Sequence, residues 1–86
     1  MKISNSLGLH ARAAAKIVAL AGEYQSKLFL RKGKDSEEAD GSSILSILTL
    51  SCPKGTEVEI RIVGDDSEKF MENLTDLFAS KFGEEA

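Results

Sequence analysis

Between Glu57 and Ile62 the chain alternates strictly, with Val58, Ile60 and Ile62 set against Glu57, Glu59 and Arg61. That period of two predicts a strand with one buried and one wet face, the pattern of an antiparallel sheet. Leu28 and Leu30 alternate with Lys27, Phe29 and Arg31 in the same way. Lys32, Gly33 and Lys34 then supply a turn, and a weaker polar strand ends near Asp40, so the pair predicts a hairpin with Glu37 and Glu38 at an acidic tip. Apolar content around Ile3 predicts a first strand that stops near Asn5 and Ser6. Elsewhere the period changes. Ala14, Ile17, Val18 and Ala21 recur at helical spacing, which predicts a helix over Ala11 to Ala21 with Gly22 as its stop. Phe70, Leu74, Leu77, Phe78 and Lys81 trace a second helical stripe, from about Asp66 to Lys81, and Asp65 with Glu68 resembles a capping box at its start. The segment Ser43 to Leu50 is apolar on nearly all sides and fits a short helix or a buried strand; the serines at its start favour the helix, because a hydroxyl can cap its free N–H groups.

The order β-α-β-β-α-β-α predicts an α+β fold, an open-faced β-sandwich in which a four-stranded antiparallel sheet is covered on one face by three helices. At 86 residues the chain, 1–86, is expected to be a single domain. Its 14 acidic and 11 basic residues are interspersed, leave a formal charge of -3 and form no basic tract, which argues against nucleic acid as a partner. No apolar run approaches membrane-spanning length, and no secretory apolar core opens the chain, so membrane insertion is not expected. One cysteine, Cys52, provides neither a disulfide framework nor a metal cluster; it reads as a buried filler, in keeping with a reducing cytoplasm.

The single histidine, His10, lies in LGLHARAAAK, residues 7–16, at the start of the first predicted helix. A helix N-terminus leaves N–H groups unpartnered and carries a partial positive charge, which stabilises an anion by about 0.3–1 kcal/mol. The same field opposes an imidazolium and favours the neutral, nucleophilic ring. A ring placed there can attack phosphorus, and the phosphoryl group it then carries sits where free donors favour it. Arg12, in the first turn, is a candidate second clamp with its planar fork of donors. A surface histidine near a cap is the plainer alternative. A metal site is not expected, since no second histidine exists to complete a ligand set, and no cofactor is implied.

Gly8-Leu9-His10-Ala11-Arg12 resembles the active-site signature of the histidine-containing phosphocarrier protein family, HPr, of the bacterial phosphoenolpyruvate-dependent phosphotransferase system. Asn5-Ser6-Leu7, Gly41-Ser42-Ser43-Ile44-Leu45, Lys54-Gly55-Thr56 and Gly64-Asp65-Asp66 stand in the family's order too. The resemblance implies a carrier rather than an enzyme, which accepts a phosphoryl group on Nδ1 of His10 from phosphorylated enzyme I and donates it to a IIA protein or domain, with Arg12 as the matching arginine. It also implies a regulatory serine at Ser43, marked by a serine kinase/phosphorylase, and a docking surface at Ile44, Leu45 and Leu48. A cytoplasmic monomer is expected. Lys16 and Lys27 would add attraction for acidic partners. Two departures bear on this: the family usually has proline where Ala13 stands, and often a basic residue where Ser42 stands. Ala13 and the longer acidic hairpin are features associated with the nitrogen-related branch, the NPr type. A second reading, from a different class, is a regulatory docking module of the same fold controlled by Ser43 phosphorylation.

Overall fold

The computed structural model describes residues 1–34 and 37–84. Its elements are α1 (Ala11–Ala21), β1 (Lys27–Arg31), β2 (Ala39–Asp40), α2 (Ile44–Leu48), β3 (Glu59–Val63), α3 (Ser67–Ala79) and a closing 3-10 turn at Lys81–Gly83. The sheet is antiparallel in the order β2-β1-β3, with Leu28 opposite Ile62 and Leu30 opposite Ile60. These four point to the side covered by the helices. Ala13, Ala14 and Ile17 of α1 meet Phe70, Leu74 and Phe78 of α3 in one core, with Ile47 of α2, Leu28, Leu30 and Val58. The period-two and period-3.6 stripes of the sequence thus converge on a single apolar layer.

The fourth strand is present only in outline. Lys2 makes one isolated antiparallel bridge, to Glu57. The Val58 N–H donates to the Met1 carbonyl at 2.7 Å, and the Ile3 N–H donates to the Thr56 carbonyl at 2.9 Å. Pairing ends there because the chain turns at Asn5, where Gly8 N–H closes on the Asn5 carbonyl at 3.1 Å. The side chain of Ile3 is nonetheless fully buried. The sheet therefore has three strands where four were expected, the first being reduced to an isolated bridge, while the α+β class with helices on the sheet holds.

The exposed face of the sheet carries its own closed set of contacts. Phe29 lies opposite Arg61 in the register. The Arg61 guanidinium sits 4.3 Å from the centre of the Phe29 ring and donates to both carboxylate oxygens of Glu38, at 2.9 and 2.7 Å. Arg31 donates twice to Glu59 in the adjoining pair. A planar guanidinium over an aromatic ring, forked onto a carboxylate, covers apolar surface while keeping it wet.

Ser43, rather than Ser42, caps α2: its hydroxyl accepts from the Ser46 N–H at 3.2 Å. The Ser42 hydroxyl instead donates to Asp40. The capping box expected at α3 does not form. Asp66 occupies the N-cap position with φ -100° and ψ 23°, outside the extended geometry from which a side chain reaches back to its own helix. Its carboxylate turns instead to the loop between α1 and β1, accepting from the Gln25 N–H at 2.8 Å, the Ser26 N–H at 2.9 Å and the Ser26 hydroxyl. Cys52 is buried, and burial pushes its thiol up, as suits a filler.

The Ser26 hydroxyl and the Gln25 N–H hold the Asp66 carboxyl below its ordinary value of 3.8. A depressed folded value means that this tether stabilises the fold above the unfolded value and is lost as pH falls through the folded one. Denaturation of Asp66→Asn should show a deficit against the parent at neutral pH that closes as pH falls below about 4. A deficit independent of pH would assign the effect to packing instead.

Candidate functional site

The site begins with the turn Asn5–Gly8. Gly8 has φ +69°, and a Cβ there would lie 2.6 Å from the Cys52 carbonyl oxygen and 2.8 Å from the Pro53 Cα. Only a residue without a side chain fits between the turn and that loop. Leu9, buried, donates its N–H to the same Cys52 carbonyl at 2.8 Å. The two contacts fix where the chain enters α1, and hence where His10 stands.

His10 is the N-cap residue of α1, extended at φ -89° and ψ -178°. Its carbonyl accepts from the Ala14 N–H, opening the helix, and its Nδ1 accepts from the Arg12 N–H at 3.2 Å. An imidazole nitrogen here does what an Asp or Ser oxygen commonly does at a cap. The other ring nitrogen, Nε2, meets Oε2 of Glu84. A nitrogen that accepts an N–H carries no proton, and a carboxylate oxygen needs a donor. The partners therefore assign the proton to Nε2 and the in-plane lone pair to Nδ1.

Glu84 is itself held. Its Oε1 accepts from Asn5 Nδ2 at 2.7 Å, and the same amide group donates to the Gly8 carbonyl at 2.7 Å. Asn5 is fully buried, and among the described residues none donates to its Oδ1. The Asn5 amide, followed by the His10 ring and the nearby Arg12 guanidinium, keeps the Glu84 carboxyl below the usual range. The side chains of His10 and Glu84 are 24% and 12% exposed, so the carboxylate lies beneath the ring and the ring opens to solvent. Arg12 is exposed and lines a shallow depression with Ser6, Leu7, Lys16, Gly83 and Glu84.

The residues expected to act therefore fall into two groups. His10 and Arg12 come together at the start of α1. Ser43, Ile44 and Leu45 lie at the start of α2; Ser43 is half-buried, Ile44 is 38% and Leu45 77% exposed, and Leu48 leans on the core. Asn5, marked in the sequence only as a strand end and as part of a family-like segment, and Glu84, not marked at all, belong to the site because the fold brings them together across 79 residues. Leu7, 68% exposed, is a further apolar residue on the surface. Among the described residues no helix is long and apolar enough to cross a membrane.

Residues 1–80 match the family model described as the PTS HPr component phosphorylation site. The phosphocarrier protein HPr of Xylella fastidiosa is 37% identical over 86 residues, covering 99% of this chain and 93% of its own. The phosphocarrier protein NPr of Escherichia coli is 32% identical over 85 residues, covering 99% of this chain and 93% of its own. A crystal structure of HPr from Thermoanaerobacter tengcongensis superposes with a TM-score of 0.90 at 38% identity, covering 100% of this chain and 94% of that one.

Replacing Gly8 tests the geometry of the turn. Gly8→Ala adds a left-handed strain and a clash with main-chain atoms, so it should lower stability by about 1–3 kcal/mol in chemical denaturation. The His10 ring resonances should shift with it. An unchanged denaturation midpoint would show that the loop at Cys52 and Pro53 yields freely.

Proposed function

This chain belongs to the HPr family of phosphocarrier proteins of the phosphotransferase system, and we propose that it carries the phosphoryl group on Nδ1 of His10. Phosphorylated enzyme I is the donor and a IIA protein or domain the acceptor. The observation that carries this reading is the pair of partners on the ring: Nδ1 accepts from the Arg12 N–H while Nε2 faces Glu84.

In the transfer the Nδ1 lone pair attacks phosphorus. An N–P bond forms as the bond between phosphorus and the donor's leaving atom breaks, and the donor atom keeps that electron pair. Attack uses the lone pair that Arg12 N–H had engaged, so this N–H is released to donate to a phosphoryl oxygen at the positive end of α1. Bonding to phosphorus also draws charge from the ring, which becomes cationic while Nε2 keeps its proton. Glu84 lies where that charge develops. Opposite charges thus serve the two ends of one ring: donors for the phosphoryl oxygens at Nδ1, a carboxylate for the ring at Nε2. Arg12, exposed beside the ring, is the phosphate clamp.

Both ends are mild. Surface electrostatics of this size hold a phosphoryl group without trapping it, as a carrier must. Ile44 and Leu45, with the rim of Leu48, are the apolar contact for successive partners, in a protein proposed to work in the cytoplasm as a monomer. A second reading, regulatory docking, rests on the Ser43 hydroxyl, a half-buried cap next to exposed Ile44 and Leu45. A phosphate there would place two negative charges against the apolar contact and change partner choice.

Incubation with phosphoenolpyruvate and enzyme I should give acid-labile phosphate on the parent chain and none on His10→Ala; equal labelling of both would sink the proposal. Arg12→Ala should slow transfer by about 10- to 100-fold with stability within about 0.5 kcal/mol of the parent. Acid-stable label from ATP and a serine kinase, lost in Ser43→Ala, together with no label from enzyme I, would instead support regulatory docking.

A further inference from the structure

The segment that brings Glu84 to His10 is an unusual piece of backbone. Lys81, Phe82 and Gly83 are left-handed in succession, at φ 57°, 57° and 74°. For Gly83 this is free, but for Lys81 and Phe82 the left-handed region is disfavoured by contact between Cβ and the carbonyl. Such a run persists only where surrounding contacts impose it. Two of these contacts are apparent within the segment: Phe82 is buried, its ring 5.0 Å from that of Phe78, and the Gly83 and Glu84 N–H groups close on the Ser80 and Lys81 carbonyls at 3.0 Å.

A third contact comes from α1. The Lys16 ammonium donates to the Phe82 carbonyl. Lys16 stands one helical turn beyond Arg12 and lines the same depression, and a Cβ on Gly83 would lie 2.9 Å from its Nζ. An exposed lysine on a helix normally leaves its strongly hydrated ammonium in water. Here the ammonium is spent on a main-chain carbonyl at the middle of the strained turn, 66 residues away.

We propose that Lys16 is a positioning residue for the phosphoryl-accepting histidine: by bonding the Phe82 carbonyl it holds the Lys81–Gly83 turn left-handed, and so keeps Glu84 against Nε2 of His10. Without that bond Lys81 and Gly83 relax, the direction of the chain beyond Phe82 changes, and Glu84 leaves the ring. Nε2 then loses the acceptor that fixes its proton there, and the Arg12 N–H alone is left to hold Nδ1 as the unprotonated nitrogen. Lys16 touches neither the ring nor the transferred group and acts through Glu84.

The proposal about the ring stands on geometry alone, while its kinetic consequence rests on the carrier reading above. The test is ¹⁵N NMR of the His10 side chain in the unphosphorylated full-length protein, at a pH where the ring is neutral. The parent should show a pyrrole-like Nε2 and a pyridine-like Nδ1. Lys16→Met, which keeps the aliphatic stem, should move both nitrogens toward the average of the two tautomers, and Lys16→Arg, which keeps a donor, should restore them. Transfer from enzyme I should slow about three- to tenfold in Lys16→Met, and adding Lys16→Met to Glu84→Gln should change little further. Parent-like nitrogens in Lys16→Met, or rate losses that multiply in the double variant, would overturn the proposal. Absence of any label on the parent would refute the carrier reading and leave the NMR result to decide the role of Lys16.

Discussion

The imidazole of His10 joins the two ends of the chain, and the geometry of the site depends on how that ring is gripped. On one side it caps α1 through Nδ1, and on the other it meets a carboxylate delivered from beyond α3. The grip is prepared from below. Asn5, fully buried, ties the Gly8 carbonyl and the Glu84 carboxylate with one amide group, so the turn before the helix and the segment after the last helix are registered against each other. A buried amide with two such bonds has little freedom to shift, since each lost bond would leave a polar group without water.

Much of this was legible in the sequence, and what was not has a common cause. Helix α1 runs over Ala11–Ala21 as its periodicity and Gly22 imply, and β1 occupies the alternating segment Lys27–Arg31. The serine cap and short length of α2 follow from its composition and from Pro53 beyond it. His10 and Arg12 stand together because a local rule, the helix start, places them. Asn5 and Glu84 obey no local rule, since their meaning arises only when distant segments pack. The same holds for Asp66. Read locally, it belongs to a helix cap; in the fold, its carboxylate finds three donors in the loop at Gln25 and Ser26 and takes them in preference. The first strand fails for a related reason, because the turn that positions the histidine begins before a ladder can extend. The pairing is cut short where the site needs the chain to leave the sheet.

Ala13 illustrates how a single position can serve fold and site together. Its methyl group is fully buried against the core while its neighbours Arg12 and Ala11 are exposed. Where the resemblance implies a proline, whose ring would fix the backbone, alanine reaches the first turn by helix propensity and packing. The start of α1 is held instead by the Leu9 bond to Cys52 and by the ring of His10 itself.

The far side of the sheet has a different importance. Glu38, Arg61 and Phe29, with Arg31 and Glu59, satisfy one another across the face of the sheet that the helices leave open. Charges paired with one another in this way leave fewer unmatched groups to hold a chance encounter. The exposed apolar side chains Ile44 and Leu45 at the start of α2, with Leu7 and Val63, are places where an encounter can linger. In the proposed role, in which the protein visits one partner, leaves it and finds another, affinity is tuned by dissociation more than by arrival. Keeping one side inert shortens the unproductive visits and lets the productive ones set the pace.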